Sequence, residues 1–203
     1  MSTSASAEAW ELSVLLSGEH AANLSLTPTH FSFTTSHLHA SFVSATISCG
    51  APKRPVVRQF TYSNVLNATF DPASRGLCIR LLQDESRTRL PFINATVPTD
   101  KVDEAAAWTE ELLQRAYGPV KPYKRLKVLL NPISGKGKGR ASWSERIRPL
   151  LAAAGCTVDF EETRHKGHAK DIASSLKLED FDGLFFPSLF PVSWLIYRQL
   201  LWW

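Results

Sequence analysis

Residues 127–140 read KVLLNPISGKGKGR, an apolar run that breaks at Asn131-Pro132 and opens into three glycines interleaved with two lysines. The apolar run beginning at Leu126 predicts a short strand buried on both faces, as in a parallel sheet. ASWSERIRPLLAAAG (141–155) predicts a helix with Trp143, Ile147, Leu151 and Ala154 on one face, kinked at Pro149 and stopped by Gly155. TVDFEET (157–163) alternates as a strand, and GHAKDIASSLKL (167–178) is helical with Ala169, Ile172, Ala173 and Leu176 inward. DGLFF (182–186) begins a third strand. Strand, helix, strand, helix, strand is the opening of a doubly wound α/β domain with a parallel sheet.

That order gives the glycine loop a place. It leaves the carboxyl end of the first strand, where open α/β sheets bind ligands. Gly135, Gly137 and Gly139 let the backbone approach a bulky anion, the following helix adds partial positive charge, and Lys136 and Lys138 add more. The spacing is neither that of a P-loop nor that of GxGxxG followed by a ribose-binding acid. Spacing alone therefore leaves a flexible Gly-Lys surface turn open as the alternative.

Upstream, the first hundred residues are strand-rich. HFSFTTSHLHASFVSATI (30–47), VVRQFTYSNVLNATF (56–70), GLCIRLL (76–82) and LPFINATV (90–97) are separated by turn signals and predict a small antiparallel sandwich or barrel. The period changes in DKVDEAAAWTEELLQRAY (100–117). There Val102, Ala105, Ala106, Trp108, Leu112, Leu113 and Ala116 mark the inner face of an amphipathic helix, with acids in its first turn and Arg115 in its last. Gly118 stops it, and GPVKPYKR (118–125) reads as a linker. The domain boundaries expected are 1–118 for the β-rich domain with its closing helix, 119–125 for the linker, 126–183 for the α/β portion and 184–203 for an apolar tail.

Composition sets the limits around this reading. A chain of 203 residues that is 44% hydrophobic has enough apolar material for one large core or two small ones. The net charge of +4 is mild, but between Lys121 and Arg148 nine Lys or Arg residues accompany one acid, Glu145. That excess would attract phosphate, or it is a solvated basic surface. His20, His30, His37 and His39 lack acids or Cys at ligand spacing, so no metal site is expected. Cys49, Cys78 and Cys156 are read as reduced thiols of a cytosolic protein. The first residues show no secretory signal, so the glycosylation triplets at Asn23, Asn67 and Asn94 are read as chance.

VLLNPISGKGKGR resembles the nucleotide-binding loop of the diacylglycerol-kinase-like lipid kinases, in particular the sphingosine (long-chain-base) kinases. Glu162-Thr163, His168-Ala169 and Asp182-Gly183 follow in the family's order and at fitting distances. The resemblance implies that Asn131, Pro132, Ile133, Ser134, Gly135, Lys136, Gly137 and Lys138 line the ATP phosphates and ribose. It places Thr163, Arg164, His165, Lys166 and Gly167 beside the nucleotide; His168 is read either as part of that turn or as a helix-start residue capping or packing on the sheet. It also implies a pleckstrin-homology-like fold for the amino-terminal part, hence an α+β arrangement in which a β-rich domain precedes the incomplete start of an α/β nucleotide-binding domain. The implied reaction is transfer of the ATP γ-phosphoryl group, with Mg²⁺, to the primary hydroxyl of a sphingoid base. The implied setting is cytoplasmic and peripherally membrane-associated, without nucleic acid.

After Asp182-Gly183 the resemblance stops. The family continues into a Gly-Asp-Gly loop and an acid-bearing helix, whereas LFFPSLFPVSWLIYRQLLWW (184–203) has no Gly, Asp or Glu. No catalytic residue is therefore assigned. The tail is read as unrelated sequence introduced by a retained intron, a frameshift or a misplaced gene end; an interfacial membrane segment and a core strand with an exposed end are the other readings. The expectation is a truncated, inactive and poorly stable form of a lipid kinase. Its rivals are a non-catalytic membrane- or partner-binding fragment and a kinase acting on diacylglycerol or ceramide.

Overall fold

The computed structural model describes residues 9–16, 20–35, 55–82, 90–133 and 137–187, which divide into two compact units meeting in sequence at Gly118–Pro119. The expected strand continuation through residues 36–47, His37, His39 and Cys49, and nearly all of the apolar tail, lie outside the described residues.

The first unit contains β1 (Trp10–Leu16), β2 (His20–Leu26), β3 (His30–Thr35), β4 (Val56–Thr61), β5 (Val65–Asp71), β6 (Gly76–Leu81) and β7 (Phe92–Thr96). Alternation sets the inner face: Leu12 and Val14, then Ala22, Leu24 and Leu26, then Phe31 and Phe33 are buried, while their chain neighbours are not. The strands form one antiparallel sheet in the order β4-β3-β2-β1-β7-β6-β5 rather than the two layers of a sandwich.

The two outermost strands, β4 and β5, are joined only by the 3₁₀ turn Tyr62–Asn64. In a flat sheet six inter-strand steps would hold them ~29 Å apart. The four Cα–Cα steps from Thr61 to Val65 reach at most about 15 Å. The sheet is therefore curled so that its edges converge, which gives the barrel expectation its physical form without hydrogen bonds between β4 and β5.

Helix α1 (Val102–Tyr117) packs against the curled sheet at β5 and β1, and Gly118, with φ +57°, ends it. Trp108 is fully buried, its ring edge-on to Phe31 at 6.0 Å and its Nε1 donating to the Trp10 carbonyl at 3.2 Å. Arg115 and the Tyr62 hydroxyl both donate to the Thr27 carbonyl, at 2.7 and 2.5 Å, and the Tyr117 hydroxyl donates to the Leu66 carbonyl at 2.5 Å. The inner face of α1 differs from the expected one. Ala106 is exposed, and Thr109 and Tyr117 are buried, Thr109 because its hydroxyl satisfies itself on the Ala105 carbonyl at 2.7 Å.

The second unit holds β8 (Arg125–Leu130), β9 (Thr157–Glu162) and β10 (Gly183–Phe185) in a three-stranded parallel sheet of order β10-β8-β9. Central β8 is buried from Leu126 to Leu130, as an apolar run in a parallel sheet requires. The single kinked helix expected over 141–155 is three pieces: α2 (Gly139–Ser142), a π-helical turn (Trp143–Ile147) and α3 (Arg148–Ala153). Pro149 lacks the N–H that would bond to residue 145, so the chain widens just before it. Trp143 stacks on Phe160 of β9 at 4.7 Å, and Ile147, Leu150 and Leu151 are buried. Helix α4 (His168–Ser175) has Ala169, Ile172 and Ala173 half-buried, as does Leu176 just beyond it.

Trp108→Ala should cost the first unit about 3–5 kcal/mol. Trp108→Phe should cost less, because it keeps an aromatic ring against Phe31 while losing the indole donor and part of the ring volume. Urea midpoints followed by circular dichroism would rank the two.

Candidate functional site

The parallel register brings two sequence-predicted segments out of the sheet together. Leu130 faces Glu162 at the ends of β8 and β9, and the Thr163 N–H extends the ladder one step by donating to the Leu130 carbonyl at 2.8 Å. Asn131–Lys138 leaves from one strand end and Thr163–Gly167 from its neighbour. Within the first segment the Asn131 side-chain oxygen accepts the Ile133 N–H at 3.0 Å, a local turn that exposes Ile133. Gly137 lies at φ +76°, Lys138 is exposed, and the Ser142 N–H bonds to the Lys138 carbonyl at 2.9 Å as α2 begins. Ser134, Gly135 and Lys136 lie outside the described residues.

The second segment is a tight turn. Arg164 N–H donates to His168 Nδ1 at 3.1 Å, His165 and His168 rings lie 4.8 Å apart, and Gly167 at φ +93° starts α4. His168 thus closes the turn before the helix with its own ring nitrogen. Arg164, His165, Lys166 and Gly167 are exposed and Thr163 is half-buried.

Charge in the region is not what the linear sequence displays. Four residues of the basic stretch are paired with acids from farther along the chain. Arg140 forks onto Glu162, Nε to Oε1 at 2.9 Å and a terminal nitrogen to Oε2 at 2.6 Å, and these bonds hold the Glu162 carboxyl below the usual range. Lys127, buried on the central strand, meets Glu161 at 2.9 Å and Asp159 at 3.1 Å. Burial pulls its ammonium pKa down, but the hydrogen bonds to both carboxylates outweigh that and leave it raised. Lys121 and Arg125 pair with Asp182. Lys124, placed in a solvated linker by its sequence, is buried, and burial lowers its pKa. Four of the nine basic residues are thus compensated by acids of β9 and Asp182, and exposed Lys138 lies on the loop side.

Asp182-Gly183 lies at the opposite end of the strands from the loops. Asp182 accepts the Arg125 N–H at 2.6 Å while its own N–H donates to the Arg125 carbonyl at 2.7 Å, a reciprocal latch between the starts of β10 and β8. Among the described residues no three His, Cys, Asp or Glu side chains are grouped as a metal site, and His30 is engaged by the Thr27 and Thr29 hydroxyls, each at 3.0 Å. Cys78 and Cys156 are free thiols, and burial pushes that of Cys156 up. No helix among the described residues is long and apolar enough to cross a membrane.

Sequence comparison supplies the class. The profile of a Domain of unknown function (DUF7493) matches residues 14–118, more than half of the chain, and that of the Diacylglycerol kinase catalytic domain matches 125–186. The chain belongs to the family of the former domain, and the latter match and its relatives put it with the sphingosine-kinase-like lipid kinases. It is 34% identical over 73 residues to Sphingoid long chain base kinase 5 of Saccharomyces cerevisiae, covering 36% of this chain and 11% of the relative. Sphingoid long chain base kinase 4 of Schizosaccharomyces pombe is 35% identical over 85 residues, 42% of this chain and 19% of the relative. Ceramide kinase-like protein of Homo sapiens is 33% identical over 124 residues, 60% of this chain and 21% of the relative. The matched part of the chain thus spans a tenth to a fifth of the length of these curated relatives.

Asp182 yields a pH prediction. The Arg125 N–H and then Lys121 hold its carboxyl below the ordinary value, so its contribution to stability is complete above about pH 4 and is lost as pH falls through the lower folded-state value. Asp182→Asn should lower the urea midpoint of the second unit at pH 7, and the gap from the native chain should shrink by pH 3.

Proposed function

We propose that the second unit holds ATP at the carboxyl ends of β8 and β9. The reaction this site serves is read as transfer of the γ-phosphoryl group, with Mg²⁺, to the primary hydroxyl of a sphingoid long-chain base, a step this chain is read as unable to complete without a catalytic base. The observation that carries this reading is the Thr163–Leu130 hydrogen bond, because it brings two candidate phosphate-binding segments out side by side at a ligand-taking edge. On this reading Asn131 to Lys138 border the phosphates and ribose, and Thr163 to Gly167 flank the nucleotide.

The chemistry of those residues fits a polyphosphate. Lys136, Lys138, Arg164 and Lys166 fall on the two segments with no acid among them. Phosphoryl transfer depends mainly on positioning and on neutralising charge, which amides and lysines supply. The described residues assemble no carboxylate cluster for a divalent ion, so no side chain is assigned to Mg²⁺, which is read as arriving on the nucleotide. No catalytic base is assigned either.

The acceptor is read from the two yeast relatives, whose names specify sphingoid long chain bases. Ceramide is the second reading, because the human ceramide kinase-like protein aligns with 60% of this chain. The first unit, one curled antiparallel sheet followed by a single closing helix, is read as pleckstrin-homology-like. A membrane-lipid acceptor fits a cytoplasmic protein peripherally associated with a bilayer.

Titration of the chain with a fluorescent ATP analogue, competed by ATP, should show saturable binding. Replacing Lys136 and Lys138 together by Ala should weaken it by about tenfold or more. Incubation with labelled ATP and micelles of sphingosine, ceramide or diacylglycerol should label none of them with this chain, which is read as inactive because no catalytic base is assigned. It should label sphingosine once the chain is joined to the base-bearing and lipid-binding sequence of a long-chain-base kinase. Absence of nucleotide binding overturns the site, and labelling of ceramide or diacylglycerol without sphingosine overturns the acceptor.

A further inference from the structure

We infer that Arg140 and Glu162 form a clasp that sets the opening of the glycine loop, with Arg140 a positioning residue and not a phosphate ligand. The inference rests on the nucleotide reading above, since it concerns how that site is held open. Nine residues, 131–139, separate Leu130 from Arg140. The near end of that span is anchored to the second strand, because the Leu130 carbonyl accepts the Thr163 N–H at 2.8 Å. The far end is anchored to the residue just before Thr163: Arg140 forks onto Glu162 through two bonds, at 2.9 and 2.6 Å.

The two ends of the loop are therefore tied to adjacent residues at the tip of β9, the near end to Thr163 and the far end to Glu162. Without the second tie, the start of α2 and the helical packing beginning at Trp143 would fix where the loop re-enters. Closing a span of this length has an entropic cost that a second anchor reduces before any ligand arrives. The Arg140 side chain is 69% exposed, so its ion pair adds little to global stability. What a two-bond fork contributes is direction, because it fixes the plane of the guanidinium as well as its distance. The same fork satisfies the guanidinium on the strand side and leaves Lys138, exposed on the loop, to meet an anion.

The test uses the 203-residue chain carrying Arg140→Gln, Glu162→Gln or both. Affinity for a fluorescent ATP analogue is titrated, and amide hydrogen exchange of residues 137–139 and 163–167 is followed without nucleotide. Each single variant should bind roughly two- to fivefold more weakly, with the double variant no worse than the weaker single. Exchange in both segments should rise in all three variants. A large loss for Arg140→Gln beside unchanged or tighter binding for Glu162→Gln would make Arg140 a phosphate ligand and overturn the clasp; so would unaltered exchange. Should the unmodified chain bind no nucleotide, the site reading fails by itself, and the exchange rates alone decide whether the clasp exists.

Discussion

Three residues, Tyr62–Asn64, have to join the outermost strands of a seven-stranded sheet. That covalent constraint curls the first unit and leaves an apolar concavity. Leu, Val and Phe from the strands line it, and Trp108 of α1, fully buried against Phe31, completes the core. Helix α1 is fixed there by direction as well as by burial. Trp108, Arg115 and Tyr117 each donate to a main-chain carbonyl of a different part of the sheet, at Trp10, Thr27 and Leu66. Buried polar atoms on large side chains are costly unless paired, so these three bonds limit the helix to one rotation and one depth.

The second unit is governed by parallel pairing on both sides of β8. Parallel neighbours in register carry like-numbered ends to the same edge, which is why a loop at residue 131 and a turn at residue 163 emerge together although thirty-odd positions separate them. The opposite edge has its own fastening in the Asp182–Arg125 latch. The family landmarks thus have different physical work. Asn131 to Lys138 and Thr163 to Gly167 belong to the open edge, His168 shapes the turn there, and Asp182 holds the sheet shut at the far edge.

Much of this could be read directly from residues, and the failures have causes. Strand, loop and helix order in the second unit followed from period changes at Asn131, Gly155 and Gly167, where chain-reversing residues interrupt apolar runs. Strands β1 and β2 were less legible. WELSVLL alternates, but it sits at the start of the chain, where the question of a leader dominates, and HAANLSL has small residues of low strand preference whose place is set by pairing with β1 and β3. The inner face of α1 was misjudged at Ala106, because alanine satisfies either side of a helix and only the position of the sheet decides. Arg140 with Glu162 and Lys127 with Asp159 and Glu161 were invisible, since cross-strand partners depend on register and no local pattern encodes register between distant strands.

The separation in sequence between the bases and the acids that pair with them has a temporal side. As the chain is synthesised, Lys121, Arg125, Lys127 and Arg140 emerge before Asp159, Glu161, Glu162 and Asp182 exist. The nascent segment is cationic throughout that interval, and β8, the strand both neighbours need, appears first with no partner on either side. Neutralisation and sheet formation are then coupled in two steps, first as the acids of β9 arrive and then as Asp182 does. Until Asp182 arrives, the strand bearing the glycine loop can pair on one side only, with an open edge where β10 will later lie.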